Sequence, residues 1–240
     1  METEKETIIR NAVREHYAQL ARSTNPLSSC CSPNSSHGVN GPEEARTVYA
    51  GCGAPVEAAN IKDGEIVVDL GSGGGFDVFN AAKRVGSSGR VIGVDATPEM
   101  VWRARDTATK HGFSNVEFKL GEIENVPVEK DRADLVMSNC VINLAPDKAR
   151  VFHEAYRILK PGGRLAISDI VVRPGAKVDP TDLSRWVECE AGAINEEEYV
   201  RLAKEAGFVA IEVRNDSGCC SGQATKSITL MALKPIINPR

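Results

Sequence analysis

The sequence predicts an α/β protein with a doubly wound, mostly parallel seven-stranded sheet, an N-terminal helix and a small C-terminal appendage. From Glu65 onward, short apolar runs alternate with stretches of helical periodicity, which is typical of a parallel sheet covered by helices on both faces. The first run, "EIVVDLG", is apolar at consecutive positions and ends at a glycine, as expected of a strand buried on both faces.

The chain opens with a predicted helix followed by an irregular segment. Residues 4–22 place Ile9, Val13, Tyr17 and Leu20 near helical spacing, which predicts an amphipathic helix. The next stretch, "STNPLSSCCSPNSSHGVNGPEE", is dense in Ser, Asn, Pro and Gly and predicts an irregular loop.

Strands and helices alternate through the first half of the predicted sheet. "EIVVDLG" is the first strand, and residues 76–85 form the helix after it. "RVIGVD" is the second strand. Thr97 then provides a helix N-cap, Pro98 the first helical position and Glu99 a first-turn acid, and this helix runs to about His111.

The second half continues the pattern and ends with an antiparallel pair. "NVEFKLG" and "ADLVMSN" are the third and fourth strands, a helix covers residues 147–160 until "KPGG" ends it, and "RLAISDIVV" is the fifth strand. Residues 180–192 are predicted to be helical, and "NEEEYVRLAKEAGF" forms a helix with Asn195 as its N-cap. "VAIEVRN" and "SITLMALK" close the chain as strands at the edge of the sheet.

These elements divide the chain into three regions. Residues 1–45 hold the N-terminal helix and the cysteine-containing loop, residues 46–172 the core, and residues 173–240 an insertion and the closing strands. A length of 240 residues suits one large domain with such additions.

Composition narrows the class of partner and the compartment. The net charge is −4, so the composition lacks the excess of basic residues typical of proteins that bind nucleic acid. No apolar run approaches the ~20 residues that span a bilayer. The N-terminus, "METEKETIIRNAVREHY", has no apolar block of the kind found in signal peptides. We therefore expect a cytoplasmic monomer that contacts neither nucleic acid nor membrane.

The spacing of the seven cysteines matches no common disulfide or zinc-binding pattern. Their number is odd, no C-x-x-C occurs, and thiols in the cytosol are kept reduced, so neither a disulfide scaffold nor a zinc ribbon is predicted.

A glycine loop follows the first predicted strand. "VVDLGSGGGFD" supplies Gly71, Gly73 and Gly75, where glycine permits a tight turn and a close approach of a ligand to backbone N–H groups. The spacing is G-x-G-x-G and departs from the dinucleotide fingerprint, because Phe76 occupies the last glycine position. Asp95 ends the second strand 20 residues beyond Gly75, where an acid accepts hydrogen bonds from ribose hydroxyls.

Together with "GEIENVP" after the third strand and "LKPGGRLAISD" before the fifth, this loop resembles the class I S-adenosylmethionine-dependent methyltransferases. The resemblance implies that S-adenosyl-L-methionine is the cofactor, with Asp69 near its ammonium group and Glu122 and Ile123 near its adenine. A nicotinamide enzyme is the alternative. The positions that correspond to cofactor contacts are Asp69, Gly71, Ser72, Gly73, Asp95, Ala96, Met100, Glu122, Ile123 and Asn139.

Three cysteines lie where a parallel sheet presents its ligands. Cys140, in "SNCVINLAPDK", follows the fourth strand and should face the methyl donor, because ligands bind outside the carboxyl ends of the strands. Cys52, in "VYAGCGAPVEAA", and Cys189, in "WVECEAGAI", lie in flanking segments that could fold over it. Three thiolates around one point suit a soft, thiophilic centre.

These three contexts resemble arsenite S-adenosylmethionine methyltransferases, a family of detoxifying enzymes. The resemblance implies trivalent arsenic bound by Cys52, Cys140 and Cys189, and attack on the methyl group by its lone pair. Whether the reaction stops at the monomethyl product or continues to the dimethyl product stays open. It implies that Cys140 and Cys189 hold arsenic throughout, and that Cys52 later forms a disulfide with Cys30 or Cys31. It also implies thiol reductants such as glutathione or thioredoxin.

Other interpretations remain open at this stage. Each cysteine alone could be a small buried hydrophobe. Cys219 and Cys220, in "DSGCCSGQ", could hand over arsenic or be exposed thiols in a turn. The chain could methylate carbon, oxygen or nitrogen of a small molecule, or could be an arsenic-binding scavenger or sensor. Trp102 and Trp186 are predicted to pack in the interior, Trp186 near the cysteines.

Overall fold

The predicted α/β architecture is confirmed by a computed structural model, which describes residues 3–23, 41–216 and 223–236. Seven strands form one sheet in the order β3-β2-β1-β4-β5-β7-β6. The strands are β1 (Ile66–Leu70), β2 (Arg90–Asp95), β3 (Val116–Leu120), β4 (Ala133–Asn139), β5 (Leu159–Val172), β6 (Val209–Asp216) and β7 (Thr225–Leu233).

The sheet is parallel except at one edge. β1 pairs in parallel with both β2 and β4, and β7 lies antiparallel between β5 and β6. From β1 the chain moves outward to β2 and β3 and then returns to β4 on the other side. The carboxyl ends of β1 and β4 therefore flank a topological switch point, where sheets of this kind bind their ligands.

Several helices begin at residues whose side chains cap them, whereas Thr97 takes its predicted N-cap position without a capping hydrogen bond from its side chain. Thr3 and Glu6 form a capping box at the first helix, and Asp147 and Asn195 accept hydrogen bonds from backbone N–H groups three residues later. The helices are α1 (Glu4–Arg22), α2 (Glu43–Arg46), α3 (Pro55–Ala58), α4 (Phe76–Val85), α5 (Pro98–Lys110), α6 (Lys148–Ile158), α7 (Leu183–Trp186) and α8 (Glu196–Glu205).

Helices cover both faces of the sheet, as predicted. On one face Phe152 of α6 and Tyr199 of α8 pack edge to face at 5.3 Å between ring centroids, and both are fully buried. On the other face Phe79 of α4 packs against Phe118 of β3. Within the described part of the chain, no helix combines the length and apolar character needed to cross a bilayer.

Three predictions about local structure were wrong. "KPGG" belongs to β5, because the Gly162 N–H donates to the Lys234 carbonyl and so extends the ladder. The helix predicted over 180–192 is reduced to α7, and it cannot extend through Cys189, which has a left-handed backbone with φ 68°. Trp102 does not pack in the interior, since 59% of its surface is exposed on α5.

Candidate active site

A cavity opens at the switch point between β1 and β4, and its empty volume of about 980 Å³ includes space open to solvent. All ten residues predicted to contact the cofactor line this cavity, and so does Cys140. Their placement agrees with the sequence prediction, and their roles in binding stay predictions.

The glycine loop after β1 forms the floor of the cavity. Gly71, Gly73 and Gly75 have φ values of 73°, 50° and 91°, a region that residues with side chains rarely adopt. The Gly71 N–H donates to the Val94 carbonyl at 2.8 Å, which ties the loop to β2. A Cβ atom at Gly71 would lie 2.3 Å from Val141 Cγ2, so the loop packs against the residue that follows Cys140.

This close approach predicts unequal effects of two glycine substitutions. Gly71→Ala should lower the free energy of unfolding by about 2–4 kcal/mol, because it combines an unfavourable φ with a steric clash. Gly112→Ala is the matched control, since Gly112 has a similar φ of 69° and no atom lies within 4 Å of the added Cβ. It should cost only about 1 kcal/mol. Urea unfolding of both variants measures the difference, and equal losses would contradict the proposed packing.

Asp95 is anchored at the end of β2. Its Oδ2 accepts the Gly73 N–H at 2.9 Å, and its Oδ1 accepts the Thr97 N–H at 2.8 Å. The Thr97 side chain bonds to the same carboxylate, which has about four lone-pair sites, so one remains for a hydroxyl group of a ligand. Beside it, the buried Ser72 hydroxyl has no hydrogen-bond partner among the described residues. This unused hydrogen-bonding capacity fits a polar ligand such as a nucleoside.

Two buried carboxyl groups face the other end of the cavity. Asp69 is the penultimate residue of β1, and Asp77 lies in the first turn of α4, where its Oδ2 accepts a hydrogen bond from Asn139 Nδ2 at 2.9 Å. Burial raises the pKa of both carboxyl groups, that of Asp77 to about 7, despite the bond from Asn139. A ligand ammonium group placed here would favour their ionised forms. Asp77 was not predicted, although it stands only two residues beyond Gly75.

The raised pKa of Asp77 predicts how the stability of the ligand-free protein depends on pH. The folded state keeps its proton between the unfolded pKa of 3.8 and about 7, so it binds more protons than the unfolded state in this window. Stability should therefore fall as pH rises from about 4 to 7, by up to about 1.4 kcal/mol per pH unit for one proton. Asp77→Asn should flatten this slope in chemical unfolding at several pH values. An unchanged slope would contradict the assignment.

The N-terminal helix α1 forms the outer wall of the cavity. Arg10, Arg14 and Tyr17 line it, Arg10 Nη2 lies 2.8 Å from Glu124 Oε1, and Arg14 pairs with Glu122. The sequence predicted this helix but not its position. Its apolar stripe indicated a buried face, and nothing in the sequence indicated which surface it would cover.

The three predicted cysteines come together beside this cavity. Cys52, Cys140 and Cys189 are free and buried, and they pack in one cluster with Trp186, as predicted for that residue. The Sγ atoms of Cys52 and Cys140 lie within 4.8 Å of each other. Cys189 Sγ donates to the Cys140 carbonyl at 2.9 Å. Cys140 also lines the cavity, so it joins the cavity to the cysteine cluster.

Local backbone structure fixes each cysteine. Cys140 follows β4 with φ 58°, and its N–H donates to the Ser168 carbonyl at 2.8 Å. Asn139 Oδ1 accepts the N–H of Cys52 at 3.0 Å and so holds that segment. Cys140 and Cys189 both adopt a left-handed backbone, which is unfavourable for residues with side chains and occurs often at functional sites.

Burial keeps the cysteine thiols protonated before a ligand arrives. It raises the pKa of Cys52 to about 11, and a hydrogen bond with Cys140 together with burial raises that of Cys189. For Cys140, the bond with Cys189 lowers the pKa, but the bond with Cys52 and burial outweigh it. A ligand of this cluster must therefore take up or displace thiol protons. Cys30, Cys31, Cys219 and Cys220 lie outside the described residues.

Comparisons with known proteins agree with this geometry. A family model described as a methyltransferase domain matches residues 61–207. The chain belongs to this methyltransferase family. The class I methyltransferase fold expected from the sequence is thereby confirmed, and the alternative of a nicotinamide enzyme is excluded.

Within this family, the chain is similar to arsenite methyltransferases. It is 49% identical to one from Halobacterium salinarum over 68% of this chain and 42% of the relative. It is 37% identical to one from Aquipseudomonas alcaligenes over 83% of this chain and 62% of the relative. The crystal structure of an arsenic(III) S-adenosylmethionine methyltransferase from Chlamydomonas reinhardtii matches with a TM-score of 0.69 and 34% identity, over 84% of this chain and 72% of that one.

These likenesses confirm the resemblance to arsenite methyltransferases on which the residue assignments rest. The chain spans 42% and 62% of the length of the two curated relatives.

Proposed function

We propose that this chain transfers a methyl group from S-adenosyl-L-methionine to trivalent arsenic held by Cys52, Cys140 and Cys189. The observation that carries the proposal is the double position of Cys140, which lines the cavity beside the glycine loop and also packs against the other two cysteines. An arsenic atom bound to Cys140 is therefore next to the methyl donor. Similarity to arsenite methyltransferases supports the choice of substrate.

The cavity fits S-adenosylmethionine at three points. Asp95 has a lone pair for a ribose hydroxyl, Asp69 and Asp77 offer carboxylates to the ammonium group, and Glu122 and Ile123 lie on the wall assigned to adenine. The cofactor supplies a methyl group on a positively charged sulfur, and this charge is lost as the methyl group leaves. The residues around it act by holding donor and acceptor in line.

The thiols bind arsenite by exchange. Each hydroxide of arsenite leaves as water with the proton of one thiol, and a sulfur–arsenic bond replaces the oxygen–arsenic bond, so arsenic stays trivalent. This route suits thiols that are protonated before the ligand arrives, because the hydroxides carry the protons away. With three sulfurs bound, the remaining lone pair of arsenic is the nucleophile.

Methyl transfer changes the oxidation state of arsenic. Its lone pair forms the bond to the methyl carbon, while the electrons of the carbon–sulfur bond stay on the sulfur of the donor. Two thiols that couple to a disulfide return two electrons to arsenic, and we assign one of these thiols to Cys52 and the other to Cys30 or Cys31. Glutathione or thioredoxin then reduces the disulfide. The product is a monomethyl arsenical or, after a second transfer, a dimethyl arsenical, and the setting is a cytoplasmic monomer.

One assay separates this proposal from its alternatives. The protein is incubated with S-adenosylmethionine, arsenite and a thiol, and the arsenic species are separated. Methylated arsenicals support the proposal. Tight arsenite binding without methylation would indicate a scavenger or sensor. Methylation of small organic molecules that survives Cys140→Ser and Cys189→Ser would indicate a methyltransferase for carbon, oxygen or nitrogen.

A further inference from the structure

A fourth potential ligand lies beside the cysteine cluster and takes no part in the proposed reaction. Asp169 of β5 is fully buried, and one of its carboxylate oxygens lies within 4.8 Å of the Sγ atoms of both Cys52 and Cys140. Cys189 lies outside this group of three, but its Sγ donates to the Cys140 carbonyl at 2.9 Å and it packs in the same buried cluster. Two thiols and one carboxylate therefore form a compact buried group, and a third thiol lies beside it.

Asp169 is held in a fixed orientation. Its Oδ1 accepts hydrogen bonds from Asn143 Nδ2 at 2.9 Å and from the Ile170 N–H at 2.8 Å, and its Oδ2 accepts one from the Tyr199 hydroxyl at 3.0 Å. These three bonds leave one of about four lone-pair sites on the carboxylate. Carboxylates that bind metals are commonly supported by hydrogen bonds of this kind.

Arsenic and divalent metals would use this group differently. Trivalent arsenic forms three bonds, and the cysteines satisfy all of them, so the carboxylate is left over. Zinc-class ions prefer four ligands in a tetrahedron, drawn from sulfur, nitrogen and carboxylate oxygen. Three thiolates and one carboxylate carry the same ligand charge as a four-cysteine zinc site. Lys148, a buried ammonium group near Asp169, offsets part of this charge.

We propose that Cys52, Cys140, Cys189 and Asp169 form a site for a thiophilic divalent cation of the zinc and cadmium class, which competes with arsenite. On binding, the ion replaces the proton of each thiol, and the protons pass to the buffer, so no oxidant or reductant is needed. The inference shares its cysteines with the proposed function but does not depend on methyl transfer.

Cadmium is the probe for this site, because its bonds to thiolates absorb in the ultraviolet. The reduced full chain is titrated with Cd²⁺, and so is a full-length variant in which serine replaces the four remaining cysteines, Cys30, Cys31, Cys219 and Cys220. We expect one ion per chain in that variant, and displacement of the ion by arsenite. Asp169→Asn should weaken Cd²⁺ binding by at least about 10–100-fold, because even the loss of a group that only supports a metal ligand commonly costs that much, and it should leave arsenite affinity unchanged.

Asp134→Asn is the matched control, since Asp134 is a carboxylate at the opposite end of β4 that pairs with Lys160. It should change neither affinity. If Asp169→Asn weakened Cd²⁺ and arsenite binding equally, Asp169 would be a purely structural residue and the inference would be overturned. Unchanged affinity for both ligands would overturn it as well. Arsenite methylation without Cd²⁺ binding would defeat the inference alone, and Cd²⁺ binding without methylation would defeat the proposed function alone.

X-ray absorption at the cadmium edge of the four-serine variant decides the question even if Asp169→Asn fails to fold. Three sulfur ligands with oxygen as the fourth are expected. A site without oxygen, or with fewer than three sulfurs, would overturn the inference.

Discussion

Replacement of Cys140 by serine is expected to lower the rate of arsenite methylation by more than about 100-fold, because loss even of a group that only supports a metal ligand commonly costs 10–100-fold. Cys140 is a direct ligand in the proposed site, and it is the one of the three cysteines that also lines the donor cavity. A serine hydroxyl is a harder ligand than a thiolate and remains protonated near neutral pH. Separation of arsenic species after timed incubation measures the loss.

Binding of S-adenosylmethionine controls for the fold of this variant. Serine is close to cysteine in size and can keep the backbone at φ 58°, so the cofactor should bind Cys140→Ser as tightly as the wild type. If the variant bound the cofactor normally and methylated arsenite at the wild-type rate, Cys140 would not be an arsenic ligand.

Asp95→Ala is expected to weaken binding of S-adenosylmethionine by about 10–100-fold. One hydrogen bond from a ribose hydroxyl to a carboxylate contributes about 1.5–3 kcal/mol, and each 1.4 kcal/mol is a tenfold change in affinity. The variant also leaves the N–H groups of Gly73 and Thr97 without their acceptor, which loosens the glycine loop. Isothermal titration calorimetry with the cofactor measures the change.

Asp134→Ala provides the comparison for Asp95. Asp134 also accepts a backbone N–H, from Ile66 at 2.9 Å, but it does so at the opposite end of the sheet. Its loss should lower stability while cofactor affinity stays at the wild-type value. If both variants weakened cofactor binding to the same extent, the effect would come from stability, and Asp95 would lose its assigned contact with the ribose.

The sequence predicted the parts of the site that are encoded locally. The glycine loop and Cys140 directly follow strands, Asp95 ends one, and the carboxyl ends of parallel strands meet at one edge of a sheet. Their convergence therefore follows from the order of strands and helices. Cys52 and Cys189 lie in irregular segments, so their proximity to Cys140 could be expected only from the resemblance to a family.

The parts that were missed depend on contacts between distant segments. Asp77 gains its significance from Asn139, 62 positions away along the chain, and α1 is placed by ion pairs with the segment after β3. The prediction for Trp102 failed for a related reason. An aromatic side chain is buried only where another element packs over it, and residue type does not show where that happens. The left-handed backbone at Cys189, shortly after α7 ends, is a conformation that residue type does not reveal.

X-ray absorption at the arsenic edge tests the central claim, that the cysteine cluster holds the substrate. The reduced chain with one equivalent of arsenite should show arsenic bound to three sulfur atoms and no oxygen. Cys52→Ser should reduce this to two sulfurs and one oxygen. A wild-type spectrum with fewer than three sulfurs, or one unaffected by replacement of each of Cys52, Cys140 and Cys189 in turn, would contradict the account.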